Sequence, residues 1–347
     1  MLREFAASTL VISLIAAVAG GAGPALADAS YKGKTVRVIV GWAAGGGFDA
    51  YARMIGRRLG DHLPGKPTVI VENMTGAGSV KAANYMYNVA TANGLILGSF
   101  TSDLPLLQAL GERGLKVDTR KFNWVGAAFK ATFACAVMGS AGVGSWKDIK
   151  ESKKMIRMGA NRRGSNMFVV PSLLNQTAGT NFKMVVGYRG TSQITLALRT
   201  KELDGACWNW MSMKVRSGSM LKAKGDAKLI PFTVSRRLDD PMVKGLPLIH
   251  ELISEPDTRA AYEKYILVDE MPGPYALPPG TPQDYVDAMR AAFKATLNDP
   301  KLLDDAKRAR VEFNYVSPDE MNHYVNELFS APDKVKKVIR TMIGLKS

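Results

Sequence analysis

Three consecutive glycines, Gly45, Gly46 and Gly47, stand between an apolar run and a helical pattern near the start of the chain. Glycine has no Cβ, so a ligand can approach such a loop closely. Asp49 follows where we expect the N-cap of the next helix, which would leave free amide groups facing the loop. A helix start of this kind attracts anions. The stretch predicts an anion-binding loop, although a tight turn without a ligand could carry the same glycines.

The elements on either side of this loop are a strand and a helix. The β-branched run 36–40 indicates a buried strand, and Ala52, Ile55 and Leu59 recur at helical spacing behind the glycines. Counted from Gly41, the glycine spacing is G-x-x-x-G-G-G, whereas a dinucleotide fingerprint requires G-x-G-x-x-G. A dinucleotide site is therefore only a minor alternative.

The strand, loop and helix unit recurs along the chain. Residues 67–73 predict a second strand, followed by a glycine loop and a helix over 80–90, and residues 155–159 with the helix over 167–176 repeat the pattern. Such repetition is typical of mainly parallel sheets covered by helices. Ligands of these sheets bind beyond the carboxyl ends of the strands.

Polar or aromatic side chains follow several of the predicted strands and are further candidates for ligand binding. They are Thr101, Ser102, Arg163, Gly164, Ser165, Asn166, Tyr188, Arg189, Gly190, Thr191 and Trp208. An arginine among Arg162, Arg163 and Arg189 could bind a carboxylate through two hydrogen bonds. The alternative, that these arginines are solvated and Trp208 is a packing residue, stays open.

Composition excludes several classes of protein. The chain has 347 residues, 46% of them hydrophobic and 22% charged, which is typical of a globular protein. The formal charge of +15 is spread without a long basic run or an aromatic ladder, so we expect anionic ligands and no nucleic acid. With two cysteines and three histidines far apart, we expect neither a metal site nor a cofactor.

The N-terminus predicts export. Arg3 precedes an apolar run over 10–18 and the tripeptide Ala25-Leu26-Ala27, so we interpret residues 1–27 as a signal peptide cleaved after Ala27, and the mature protein as periplasmic. In an oxidising compartment Cys135 and Cys207 could form a disulfide if their strands are neighbours, and buried free thiols are the alternative.

An enzyme is disfavoured by the motifs that the sequence lacks. There is no G-x-S-x-G elbow, no H-E-x-x-H pair and no phosphate loop ending in Gly-Lys-Ser/Thr. Asp49 and Glu72 could form an acid/base pair, but a capping role explains Asp49 better. We expect no catalytic residues.

Several motifs in order resemble the Bug family, the extracytoplasmic solute receptors of tripartite tricarboxylate transporters. The likeness runs from about residue 34 to 318, through the segments 44–49, 71–78, 188–190 and 277–282. It implies an α/β fold of the type II-like periplasmic binding protein class, a Venus flytrap with two lobes. The expected lobes are 28–127 with 236–347, and 128–235, joined by a hinge of two crossings near 126–132 and 232–236. It also implies a monomer that gives a carboxylate to membrane transporter subunits.

In such receptors the loops that match 43–49 and 163–166 hold carboxylate groups, which places Trp42, Ala43 and Phe48 in the expected site with the glycines. This chain departs from the family pattern at Trp42, at Phe48 and at Phe168. These aromatic residues favour a ligand with a carboxylate and an apolar or aromatic body. A receptor that signals to a membrane sensor kinase, and more remotely an exported enzyme, remain as alternatives.

Overall fold

The structure is a computed structural model that describes residues 29–45, 47–161, 163–188, 190–309 and 311–345. The predicted signal peptide over 1–27 lies outside the described residues. So do Gly46, Arg162 and Arg189 of the expected site region. In the described part of the chain, no helix is long and apolar enough to cross a membrane.

The first sheet has five strands in the order β2, β1, β3, β10, β4. Their bounds are β1 Thr35–Val40, β2 Thr68–Asn73, β3 Ile96–Ser99, β4 Asn123–Ala127 and β10 Pro274–Leu277. β1 pairs in parallel with β2 and β3, while β10 runs antiparallel between β3 and β4. Val36, Val38 and Val40 on one face of β1 and Ile39 on the other are buried, as expected for a strand in a sheet that helices cover on both sides.

Helices cover both faces of the first sheet. They are α1 Gly47–His62, α2 Val80–Asn88, α3 Leu104–Ala109, α9 Gln283–Leu297, α10 Pro300–Ala309 and α11 Pro318–Phe329. On one face α1, α9 and α10 enclose a core that includes Ile55, Leu59 and Phe293. On the other face α2, α3 and α11 pack around Met86 and Phe100. This arrangement fixes the start of α1 at the carboxyl end of β1.

The second sheet has the order β7, β6, β8, β5, β9. Its strands are β5 Phe133–Met138, β6 Ile156–Ala160, β7 Phe182–Val186, β8 Gly205–Asn209 and β9 Leu229–Val234. Strands β6, β7 and β8 are parallel, and β5 runs antiparallel to β8 and β9. Its helices are α4 Trp146–Glu151, α5 Asn166–Ala178, α6 Thr191–Arg199 and α7 Trp210–Leu221.

Cys135 and Cys207 form a disulfide inside the second sheet. They are directly opposite each other on the neighbouring strands β5 and β8, and both are fully buried. The condition that the sequence left open, adjacent strands, is therefore met, and the free-thiol alternative is wrong. The bond closes a loop of 72 residues around β6, α5, β7 and α6.

The chain passes from the first sheet to the second between β4 and β5, and leaves the second sheet after β9. It does not return at once, because Val234 donates its N–H to the Pro247 carbonyl and bridges to Leu248, and Val243 joins the core of the second sheet. Residues 236–248, assigned to lobe 1 from the sequence, thus pack with the second sheet. The lobe boundaries remain predictions.

The two remaining helices lie where the sheets meet. They are α8 Pro256–Tyr265 and α12 Asp333–Ile343. They pack against each other, and α12 also contacts α5 of the second sheet. One continuous apolar core consequently contains Phe100 beside the first sheet, Tyr262 of α8 and Leu173 of α5. The C-terminal part of the chain therefore joins the two sheets on this side.

The disulfide should contribute measurably to stability. For a closed loop of 72 residues, the chain-entropy effect and measured losses together suggest that the double variant Cys135→Ala/Cys207→Ala loses about 2–4 kcal/mol of unfolding free energy. Denaturant unfolding followed by far-UV circular dichroism measures this loss. Refolding the wild type in reductant should reproduce it, and reductant should leave the double variant unchanged. Equal stability of oxidised and reduced wild type would contradict the expectation.

Candidate functional site

The buried carboxylate of Asp49 organises the glycine loop. Its side chain is 2% exposed and accepts hydrogen bonds from the Gly45 N–H at 2.7 Å and from Arg53 Nε at 3.0 Å. Its other oxygen accepts from Asn73 Nδ2 at 2.8 Å, and the same Nδ2 donates to the Trp42 carbonyl. Arg53 closes the ring by donating to Asn73 Oδ1. The loop is thereby fixed to α1 and to the end of β2.

This arrangement corrects the predicted role of Asp49. α1 begins at Gly47, so Asp49 lies in the first helical turn and is not the N-cap. Burial by itself would raise the pKa of Asp49, but hydrogen bonds from Arg53, Asn73 and Gly45 outweigh it and lower the pKa. The carboxylate is thus held ionised, and it orders the loop instead of capping the helix.

The space in front of α1 is open. A Cβ built on Gly45 or Gly47 would meet no atom within 4 Å, and Gly45 has a φ of +77°, a conformation that favours glycine. Ala43, Gly45 and Gly47 are exposed. The described part of the loop can therefore receive a ligand against its backbone at a helix start.

The loops that follow β1, β2 and β3 meet at one edge of the first sheet. Gly41 has no room for a Cβ because Ser79 lies 2.6 Å from that position, and Ser79 Oγ accepts the Thr101 N–H at 2.8 Å. Thr101 and Ser102 are half-buried. Two of the predicted site residues thus lie on loops that share an edge with the glycine loop.

A row of aromatic rings connects the glycine loop to the first crossing between the sheets. Trp42 stacks on Phe48 with ring centroids 4.2 Å apart, Phe48 lies 6.0 Å from Phe129, and Phe129 stacks on Tyr51 at 4.5 Å. Phe48 also lies on Gly273, where a Cβ would come within 2.9 Å of its ring. Phe48 therefore contacts both the outgoing and the returning segment of the chain.

Glu270 links the two crossings electrostatically. It pairs with Arg236, after β9, at 2.5 Å and with Lys130, after β4, at 3.7 Å. Lys130 in turn pairs with Glu320 of α11 at 3.0 Å. The two crossings are thus joined by ion pairs that are only partly exposed to solvent.

A groove of about 580 Å³ opens beside these ion pairs. The crossings contribute Lys130 and Arg236, the start of α7 contributes Asn209 and Lys214, and the segment 312–315 closes the other side. Tyr51 of α1 holds that segment by donating to the Glu312 carbonyl at 3.1 Å. The groove therefore adjoins the aromatic row and contains groups of both charges.

The start of α5 contacts the returning chain. Asn166 Nδ2 donates to both carboxylate oxygens of Asp269, at 2.9 and 3.1 Å. Desolvation raises the pKa of Asp269 well above its ordinary value, and the nearby Asp103 raises it further, while Asn166 and Arg236 act in the opposite direction. Gly164, Ser165 and Asn166 are half-buried and Arg163 is exposed.

Other predicted site residues are placed elsewhere. The Tyr188 hydroxyl donates a hydrogen bond to Glu202 at 2.7 Å. Burial is the larger cause and the Glu202 carboxylate the smaller cause that raise the pKa of Tyr188 to about 12. It lines a separate groove between β7 and α6, next to Gly190 and Thr191 at the helix start. Trp208 is fully buried in the core of the second sheet. Its packing does not support a role in contacting ligand.

Sequence reasoning missed most of the partners that hold these groups. Phe129, Lys130, Asp269 and Glu270 come from segments without a recognisable motif. The i, i+4 spacing of Asp49 and Arg53 was the one available signal, since such pairs face each other on a helix.

The Asp49 and Glu72 carboxylates do not form an acid/base pair in this arrangement. Glu72 binds Arg37 with hydrogen bonds of 2.6 and 2.9 Å, and this arginine lowers the pKa of Glu72. Both carboxylates are therefore stabilised in the ionised form and are poorly suited as general acids. Among the described residues, no three His, Cys, Asp or Glu side chains are placed to hold a metal ion.

Comparison with known proteins supports the fold expected from the motifs. No family model matches the chain. Protein BugT of Bordetella pertussis is 38% identical over 100 residues, which are 29% of this chain and 29% of the length of BugT. A TctC solute-binding protein from Polaromonas, solved without ligand, superposes with a TM-score of 0.67 at 19% identity over 90% of this chain and 100% of that one. The chain has the fold of the TctC and Bug periplasmic binding proteins.

BugD matches in the same way, with a TM-score of 0.62 at 19% identity over 91% of this chain and 99% of BugD. Two further structures contain ligands. MatC from Rhodopseudomonas palustris with bound malate has a TM-score of 0.58 at 19% identity and covers 88% of this chain and 98% of its own. Rpa4515 from the same organism, with adipate, has a TM-score of 0.62 at 20% identity, and the match covers 88% of this chain and 97% of Rpa4515. The resemblance to the Bug family and the type II-like fold are confirmed.

Replacing Asp49 by Asn tests the anchoring of the loop. Because hydrogen bonds to a charged group contribute about 1–3 kcal/mol, we expect Asp49→Asn to lose about that much unfolding free energy at pH 7. The folded-state pKa is lowered, so the wild-type advantage should decline as the pH falls below about 4. Urea unfolding at several pH values measures the difference in unfolding free energy between the wild type and Asp49→Asn. If this difference stayed the same at low pH, the stabilising role of the ionised Asp49 carboxylate would be contradicted.

The variant Asp269→Asn should show the opposite pH dependence. The folded-state pKa of Asp269 is raised, so the folded wild type binds more protons than the unfolded chain above a pH of about 4 and loses stability as the pH rises. The unfolding free energy of Asp269→Asn relative to wild type should therefore increase between about pH 4 and pH 8. A constant difference across this range would show that desolvation of Asp269 does not matter.

Proposed function

We propose that the chain is an extracytoplasmic receptor that binds a small carboxylate between its two lobes and delivers it to a membrane transporter of the tripartite tricarboxylate type. The observation that carries this proposal is the glycine loop at the start of α1, fixed by the buried Asp49 and open in front of Gly47. Helix-start amides with unoccupied space before them suit a carboxylate. The malate and adipate found with proteins of the same fold belong to this ligand class.

The aromatic row favours a ligand that has an apolar body. Trp42 and Phe48 are half-buried directly beside the glycine loop, and Phe168 is half-buried in the first turns of α5. Aromatic side chains bury a large apolar area against a ligand and favour stacking with other rings. We infer a carboxylate with an apolar or aromatic body, held at its charged end by the loop.

Closure supplies the mechanism. A ligand that contacts both lobes stabilises the closed arrangement in proportion to its differential affinity, and the closed surface is what a membrane partner would distinguish. Phe48 touches Phe129 and Gly273 on the two segments that connect the sheets. Phe48 therefore lies between the proposed ligand loop and the two segments that would act as the hinge.

A thermal-shift screen of residues 28–347 tests the ligand class. The compounds are malate, adipate, citrate, acidic amino acids and benzoate-like carboxylates. A ligand of the folded state adds about 2.7 kcal/mol of stability at a hundredfold excess over its dissociation constant. A selective rise with aromatic or long-chain carboxylates is expected. A response limited to citrate would contradict the apolar body, and no response to any carboxylate would contradict the proposal.

The variant Gly47→Val tests the loop itself. A Cβ at this position would meet no protein atom within 4 Å and would stand in the open space before α1, so we expect at least a tenfold weaker dissociation constant with little change in melting temperature. Isothermal titration calorimetry with the best compound of the screen measures the affinity. Gly218→Val in α7 is the matched control, because a Cβ there also meets nothing within 4 Å. Equal affinity of both variants would exclude the loop from the site.

A further inference from the structure

Although the sequence has no long basic run, most of its net positive charge comes from one part of the chain. Residues 128–235 contain 17 Lys and Arg against 5 Asp and Glu, a formal charge of +12 out of the +15 of the whole chain. These residues form the five strands of the second sheet and the helices α4 to α7. A strong charge asymmetry between parts of a chain indicates a binding surface for an anionic partner.

The topology gathers these charges at one end of the second sheet. Strands β6, β7 and β8 are parallel, so their first residues lie at the same edge, and the helices that precede β7 and β8 end there too. The loops at this edge are joined by hydrogen bonds, among them Asn181 Nδ2 to the Lys153 carbonyl and the Gly139 N–H to the Lys228 carbonyl. This edge is opposite to the one that carries the start of α5 and Asn209.

Exposed lysines from three stretches of the chain, 150–153, 183 and 222–228, lie at this edge, which we term the basic end. It is defined by Lys150, Lys153, Lys183, Lys222, Lys224 and Lys228. In the described part of the structure none of the six forms an ion pair. Two exposed carboxylates, Glu151 and Asp226, lie between these lysines in the sequence, whereas Asp204 pairs with Arg157 and Glu202 accepts from Tyr188. The six lysines still outnumber the two exposed carboxylates. The lysines thus present an unbalanced positive surface.

The residue types distinguish between two kinds of anionic partner. Protein interfaces are enriched in arginine and aromatic residues and depleted in lysine. The basic end is made of lysines, which are strongly hydrated point charges on flexible stems. Met155 is the large apolar side chain that is exposed beside them. Such surfaces suit a diffuse layer of negative charge, as at the headgroups of an anionic bilayer, where each lysine adds to the attraction.

We propose that the basic end binds the surface of a bilayer that contains anionic lipids. The opposite edge of the second sheet, with the candidate site, would then remain clear of the headgroups. Attachment through unpaired lysines is reversible and long-ranged, so it would keep the protein close to the membrane without insertion. The proposal is independent of the identity of the ligand, and its test needs none.

Co-sedimentation of residues 28–347 with vesicles tests the proposal. The vesicles contain phosphatidylcholine alone or an equal mixture with phosphatidylglycerol. We expect binding to the anionic vesicles only, and loss of binding as salt is raised from about 0.1 M to about 1 M, because the Debye length shrinks from about 10 Å to about 3 Å. The variant with all six basic-end lysines replaced by Gln should bind at least about tenfold more weakly.

The matched control has the same net charge as this variant. It replaces six exposed lysines outside residues 128–235 by Gln, at Lys81, Lys116, Lys121, Lys301, Lys307 and Lys337. If the basic end binds the membrane, the control keeps most of the wild-type binding. Equal loss in the two variants would show an effect of net charge alone and overturn the proposal. Absence of wild-type binding to anionic vesicles would overturn it as well and leave an acidic protein surface as the partner.

Discussion

The glycine loop depends on one buried carboxylate. A loop with glycines at 45 and 47 has many backbone conformations available. If the loop were disordered, ordering it would cost conformational entropy and weaken ligand binding. Asp49 removes much of this cost in advance, because it accepts from Gly45, Arg53 and Asn73 at once. The loop can thus be permissive in its backbone and still hold a defined shape. Such preorganisation raises affinity without any additional contact to the ligand.

The same region connects recognition to movement. Phe48 is part of the helix that begins at the loop, yet it packs against the first crossing at Phe129 and the returning chain at Gly273. Glu270 adds an electrostatic link, since it pairs with a cation from each crossing. These contacts are local and partly exposed, so they can be rearranged at modest cost. A receptor of the proposed kind needs both an ordered binding loop and connections between its lobes that can rearrange.

Local periodicity was sufficient to predict the regular units. β1 with α1 and β6 with α5 were expected close to their observed bounds, because buried strands and amphipathic helices leave strong patterns. No strand was predicted at β10, because the prolines at 274, 278 and 279 are typical of turns, yet Pro274–Leu277 form an antiparallel strand between β3 and β4. Partners distant in sequence, such as Asn166 with Asp269, leave no local pattern. The basic end escaped notice for the same reason, because only the topology brings its lysines together.

The disulfide has a consequence for the order of events during maturation. Cys135 and Cys207 are fully buried on adjacent strands, so oxidant can reach the sulfurs only before the sheet and its helices have packed. In a reducing cytosol the covalent link would be missing and the second sheet correspondingly weaker. For a chain that is exported as proposed, this timing is favourable. The precursor would stay loosely folded while it is threaded through the membrane, and would become rigid only on the far side.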